Sequence, residues 1–179
     1  MKHYDIEKIR TIAVMGPQGS GKTSFMESVL HVTGIKSTKG RVEDGNTVSD
    51  YLEEEKAHQS SMSMSLVPVE YEGFKFNFLD IPGNKEFVND LNQALSVVKG
   101  AIVIVDGQRG IDVLTQQILQ DLSNKNIPTF IFVNKMDKEN VKYDVLLEGI
   151  KKIIGNKAVP FLQPIVENGD FRGYINLVE

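Results

Sequence analysis

The chain has 179 residues, 41% apolar, 25% charged and 8% aromatic, with no cysteine and a formal net charge of −4. This is a globular chain of about one-domain size that hides roughly 70% of its unfolded surface, which excludes wholesale disorder and any need for a disulfide or metal staple. Thiol chemistry is excluded too; no run approaches the roughly 18 apolar residues of a membrane span, and the acidic balance argues against a broad electrostatic grip on DNA.

The run over 9–15 (IRTIAVM) is short, apolar and β-branched, is closed by Gly16 and Pro17, and reads as a buried strand. Phe25, Met26, Val29 and Leu30 share one face of a helix expected over 23–32, with Gly34 as its stop. From Ile35 to about Ser61 there is no sustained period, a connection far above the usual length of about 4 to 6 residues, and such loops in compact domains are functional or disordered. Two strand-like runs, 62–71 and 74–79, flank Glu72-Gly73 and predict an antiparallel hairpin. Then helix and strand alternate: helix over 85–99, strand over 101–105, helix over 111–122, strand over 128–133. Strands apolar on both faces between amphipathic helices indicate an α/β fold, a mostly parallel sheet with one antiparallel edge strand and helices on both faces. A last helix is expected over 141–154, and two short strands, 159–165 and 174–178, around Glu167-Asn168-Gly169-Asp170.

Gly16-Pro17-Gln18-Gly19-Ser20-Gly21-Lys22-Thr23 fits the phosphate loop G-x-x-x-x-G-K-[ST] and falls between a predicted strand and a predicted helix, where that motif works. Glycines let successive N–H groups face an anion, the helix start adds dipole potential, Lys22 supplies charge for the outer phosphates, and the Thr23 hydroxyl suits a magnesium ion. Ser24 completes the set expected to bind the nucleotide. Asn134-Lys135-Met136-Asp137 follows the 128–133 strand at the edge where open α/β sheets bind ligands. An Asp137 carboxylate accepts from both N1–H and the C2 amine of guanine, whereas adenine would strand the charge. Asn134 would meet the purine edge or brace the phosphate loop, and the Lys135 stem would cover the base. Taken alone these four residues also fit an exposed turn; beside a phosphate loop they read as a guanine site.

Asp80-Ile81-Pro82-Gly83 ends the hairpin's second strand as D-x-x-G. Asp80 would hold magnesium and the Gly83 N–H would meet a γ-phosphate oxygen, although a strand-terminal Asp capping the next helix is the plainer role. The three motifs stand in this order, 58 residues from Lys22 to Asp80 and 54 from Asp80 to Asn134. Together they describe a guanine-nucleotide switch binding GTP or GDP with Mg2+.

With these motifs in hand, the sequence resembles the G domain of the translational GTPases, and elongation factor G and its paralogues in particular. The longest match runs from Gly40 to Tyr51 (GRVEDGNTVSDY), similar to the family's first-switch stretch GRVEDGTTVSDY, and it accounts for the long loop. The likeness continues through 66–71, Asp80 to Gly83, Phe87-Val88, Val105-Asp106-Gly107 and Asn134 to Asp137, and 171–178 resembles the strand FKGVVDLV that opens a subdomain inserted in those G domains. The resemblance implies a second magnesium ligand in the first switch at Ser61, with Ser63 as the alternative, where the family has the threonine of R-G-I-T. It also implies catalytic roles for Lys22, Gly83 and the residue after it. There the family's water-orienting histidine is replaced by Asn84, whose amide cannot serve as acid or base, and Pro17 replaces the histidine of G-H-x-x-x-G-K-T. These departures point to a divergent paralogue with weakened hydrolysis.

The expected organisation is a G domain over 1–157, short of its fifth guanine motif and of the last strand and helix, followed over 158–179 by the start of the inserted subdomain. The expected partner is the ribosome, met through a longer protein, with no DNA and no membrane, a monomeric fragment and a cytoplasmic location. The alternatives are a GTP-dependent ribosome-binding module with little hydrolysis, a ribosomal-protection factor, and an adenine-nucleotide enzyme, which would leave Asn134 to Asp137 without a task.

Overall fold

The structure is a computed structural model that describes residues 3–42, 44, 47–48, 64–83, 94–139, 141–167 and 170–178. Its centre is strand β1 (Ile9–Met15), which leads through the glycine-rich turn into helix α1 (Lys22–Val32). The hairpin β2 (Ser65–Tyr71) and β3 (Phe74–Asp80) follows, then β4 (Gly100–Asp106), α2 (Val113–Asn124), β5 (Thr129–Asn134), α3 (Tyr143–Ile154) and a second hairpin, β6 (Leu162–Glu167) with β7 (Asp170–Asn176).

Five strands form one sheet in the order β2-β3-β1-β4-β5, parallel throughout except for the antiparallel edge pair β2 and β3. Every parallel strand therefore ends on the same side, and the loops after β1, β3, β4 and β5 meet there. Glu72 and Gly73 both take positive φ (47° and 80°), the mirror-image turn that suits the twist of a two-residue hairpin. Pro68 is tolerated because β2 is an edge strand, where a missing N–H costs no second ladder.

Period-two alternation sends neighbouring β1 side chains to opposite cores. Val14 joins Met26 and Leu30 of α1, Val67, Val69, Phe78 and Ile104 on one face of the sheet. Ala13 and Met15 join Val103, Val105 and the α2 residues Ile118, Leu119 and Leu122 on the other, with Ala94, Leu95 and Val98. Each large side chain buried this way contributes roughly 1.5–3 kcal/mol, so the sheet is held from both sides and helices cover both faces.

Local differences from the sequence reading have physical causes. Of the helix expected over 85–99, only residues 94–97 are described as helix; 84–93 lie outside the described residues. Helix α2 begins at Val113, because the Asp112 carboxylate accepts from Thr115 N at 2.7 Å and caps it. Ile111 is thus outside the helix and packs against Gly149 of α3, where an added Cβ would lie 2.7 Å from Ile111 Cδ1. In the tail the strands occupy Leu162–Glu167 and Asp170–Asn176, not 159–165 and 174–178. Phe161 turns away to meet Phe130 of β5 edge-on at 6.0 Å, and pairing starts at once between Glu167 and Asp170, which draws Phe171 to Gly173 into the ladder.

Candidate functional site

The phosphate loop emerges from β1 as a tight wrap that only glycine permits at two points. Gly16 has φ 148°, and a Cβ there would collide with the Ile104 carbonyl oxygen of β4. Gly21, the residue capping α1, has φ 97° and ψ 26°, and a Cβ there would collide with Asn134 Nδ2. Lys22 and Thr23 open the helix, so the first-turn N–H groups of α1 face the loop. Lys22 is buried, and its Nζ donates to Gly16 O at 2.9 Å and Pro17 O at 3.1 Å. Ser20 is fully buried with no hydrogen-bond partner for its Oγ among the described residues. Gln18, Gly19 and Ser24 are exposed and Thr23 is half-buried.

Asn134, at the end of β5, donates through Nδ2 to Ser20 O at 2.9 Å and accepts at Oδ1 from Lys135 N, also at 2.9 Å. Lys135 takes φ 59°, a left-handed conformation that turns its side chain back over the loop. Its Nζ donates to Gly19 O at 2.7 Å and to Asp106 Oδ2 at 2.6 Å. Asp106, at the end of β4 and opposite Asn134 in register, is buried and accepts at Oδ1 from the N–H groups of Gln108 and Arg109, both at 3.0 Å. Burial alone would raise its pKa; Lys135 and the two N–H donors outweigh that and hold it below the ordinary carboxylate range. Asp137 stands exposed in the turn after β5 and lines, with Asn134, Lys135 and Met136, a cavity of about 450 Å3 that continues between β5, α3 and the tail hairpin.

Asp80 ends β3 beside Val14 of β1 and is almost fully buried. Ile81 N donates to Val14 O at 3.0 Å, which carries the chain across the end of β1. Gly83 then lies against the phosphate loop: a Cβ there would stand 2.5 Å from Gly16 O, 2.6 Å from Gln18 N and 2.7 Å from Lys22 Nζ. Residues 16–24, Asp80, Gly83, Asn134, Lys135 and Asp137 therefore gather at one end of the sheet. Ser61, Ser63 and Asn84 lie outside the described residues.

Three residues to which the sequence reading gave no task belong to this assembly. Asp106 was visible as a strand-terminal acid, the position at which Asp80 drew notice. Arg109 Nη1 donates to Gln18 O at 3.1 Å. Glu27 lies on the buried face of α1, three residues from Leu30, and takes Lys36 Nζ at 2.7 Å and Gly40 N at 2.8 Å on Oε2 and Val48 N at 2.6 Å on Oε1. Burial pushes the Glu27 carboxyl up, but Lys36 and the Val48 and Gly40 N–H groups prevail and hold it low.

Residues 7–171 match the family described as the elongation factor Tu GTP binding domain. The chain is 36% identical over 172 residues to an elongation factor G-like protein of Synechocystis, covering 96% of this chain and 26% of the relative. It is 32% identical to a mitochondrial ribosome-releasing factor 2 of Anopheles gambiae over 96% of this chain and 23% of that protein, and 32% identical to elongation factor G of Mycoplasma pneumoniae over 98% and 25%. A crystal structure from Thermus thermophilus superposes with a TM-score of 0.85 at 34% identity, covering 94% of this chain and 25% of that one. The chain thus spans about a quarter of the length of these relatives.

Proposed function

The chain belongs to the elongation factor Tu GTP-binding domain family, and from that premise we propose that it binds GTP and GDP with Mg2+ and hydrolyses GTP when a ribosome stimulates it, as the nucleotide domain of an elongation factor G-like translation factor. The observation that carries this reading is the bracing of the phosphate loop by the base-reading segment: Asn134 on Ser20 O and Lys135 on Gly19 O. A guanine held by Asp137 is thereby coupled to the loop that holds its phosphates.

The chain fits a nucleoside triphosphate by its own chemistry. Collisions of any Cβ at Gly16 and Gly21 reserve the loop for backbone, and the first turn of α1 supplies N–H donors. Gly16, Pro17, Gln18, Gly19, Ser20 and Gly21 cradle the phosphates, Lys22 meets the outer ones, and Thr23 and Ser24 follow on α1. A buried carboxylate, Asp80 at the end of β3, and a half-buried hydroxyl, Thr23 in the first turn of α1, are donors that suit a hard divalent cation, with Ser61 as a further ligand from the first switch. When bound, magnesium neutralises the charge that develops on the transferring phosphoryl group. Gly83 gives its N–H to the γ-phosphate, and Asn84 aligns the attacking water without acting as a base. In this reading residues 1–157 form the G domain, 158–179 begin the inserted subdomain, and the fragment is a cytoplasmic monomer. Among the described residues no helix is long and apolar enough to cross a membrane.

A second reading, a GTP-dependent ribosome-binding module that hydrolyses very slowly, is favoured by Asn84, which stands where the resemblance to elongation factor G implies a water-orienting histidine. The first test is competition of GTP, GDP and ATP for the chain; failure to prefer guanine removes both readings. Single-turnover hydrolysis by the intact protein with and without ribosomes then separates them. Asn84→His is expected to raise a ribosome-stimulated rate.

A further inference from the structure

We propose that Arg109 is a phosphate-contacting arginine supplied by this chain itself, placed to engage the phosphates of the nucleotide as they lie along Gln18 and Gly19. The inference rests on the reading of the site as a GTP pocket and adds to it a charged group outside the three sequence motifs.

The base of this side chain is fixed. Arg109 N donates to the buried Asp106 Oδ1 at 3.0 Å, and Gly110 N closes the same turn on Asp106 O at 2.9 Å. The head is not fixed in the same way: the side chain is 64% exposed. Its Nη1 donates to Gln18 O, while Nη1 and Nη2 stand 3.6 and 3.7 Å from where a Gly19 Cβ would be. The guanidinium thus lies over the exposed middle of the phosphate loop.

Two features separate this from an ordinary surface arginine. Asp106 is held chiefly by Lys135, whose Nζ sits at 2.6 Å on Oδ2, while Arg109 Nε is 3.9 Å away, at the outer limit of an ion pair, so its guanidinium nitrogens remain directed to the loop. And a guanidinium offers five N–H donors in a planar fork, of which the Gln18 carbonyl takes one, leaving others for phosphate oxygens. Along the loop, Asn134 and Lys135 occupy the base end at Ser20 and Gly19, and Gly83 occupies the other end at Gly16 and Gln18. Arg109 stands between them, where a polyphosphate running from one end to the other must pass.

The test uses the intact protein with Arg109→Ala, Arg109→Gln and Arg109→Lys, and reads affinity for GTP, GDP and ATP at two salt concentrations. The expected result is a loss of about tenfold for both GTP and GDP in the Ala and Gln variants, with a shallower salt dependence. The Lys variant, which keeps the charge but not the fork, should fall between the parent and the Ala variant. Preference for GTP over ATP should not move, since Asp137 reads the base. Wild-type affinity in Arg109→Gln, which retains a donor for Gln18 O, would reduce Arg109 to a loop brace and overturn the proposal, as would unchanged affinity in Arg109→Ala. Thermal unfolding identifies any variant that misfolds, and the remaining two then decide. If the parent protein itself fails to prefer GTP over ATP, the functional reading is what falls, a result distinct from the failure of Arg109.

Discussion

Asn134 Nδ2 and Ser20 O lie 2.9 Å apart and join points 114 residues distant in the sequence, at the one place where a Cβ on Gly21 would intrude. The bond makes the loop that follows β1 and the turn that follows β5 a single piece.

Gly21→Ala is therefore expected to damage the site twice, by forcing a side chain into φ 97° and by displacing Asn134. The strain alone costs about 1–3 kcal/mol. Asn134→Ala, which removes the bond and leaves the glycine, should cost about 1 kcal/mol. Urea unfolding of both variants and the double variant measures this. The double variant should be less destabilised than the sum, because the collision partner has gone; strict additivity would show that the two residues do not interact.

Asp106 supports the loop from below, and its depressed pKa gives a pH signature. The unfolded carboxyl titrates near its ordinary value of about 3.9, and the folded one lower. Its contribution to stability is thus fully present above about pH 4 and is lost as pH falls through the folded value. Asp106→Asn is expected to lower stability at pH 7 by about 1–3 kcal/mol, a range discounted for the partial exposure of Lys135. The gap between parent and variant should close in acid; a gap independent of pH would exclude the charge as its source.

Glu27 ties the start of the long connection to α1 through Lys36, Gly40 and Val48. Its pKa is also lowered, so this tie follows the same sign and weakens in acid. Glu27→Gln keeps the shape and removes the charge. Tryptic cleavage after Lys39 and Arg41 should accelerate several-fold while α1 stays folded, as judged by circular dichroism. Unchanged cleavage would mean that the charge on Glu27 does not hold this segment.

Asp137→Asn should reduce the preference for guanine and admit xanthine nucleotides, because an amide can donate to the C2 carbonyl of xanthine. Competition between GTP and XTP reads this directly. An unaltered base preference would remove Asp137 from the recognition scheme.

Much of the architecture follows from short-range pattern. The runs 12–15 and 101–105 are apolar on consecutive positions, which suits strands covered on both faces, and Ala13, Val14 and Met15 divide between two cores as that pattern requires. Glu72-Gly73 closes its hairpin with both residues at positive φ, a conformation that Gly73 takes without strain. The glycines, Lys22, Asp80 and Asn134 to Asp137 follow predicted strands, so topology alone brings them to one end of the sheet.

What no local pattern contained is how groups distant in the chain share a partner. Asp106 captures Lys135 across 29 residues, Arg109 reaches Gln18 across 91, and Glu27 holds Val48 across 21. Ile111 leaves the expected helix because Asp112 caps it and Gly149 leaves room, and the tail strands shift because Phe161 finds Phe130. Periodicity encodes which face of an element avoids water. The identity of the group waiting on that face is fixed only when strands and helices pack, and at this site packing decided that Asp106 takes Lys135 at 2.6 Å while the Arg109 guanidinium reaches the loop at Gln18 O.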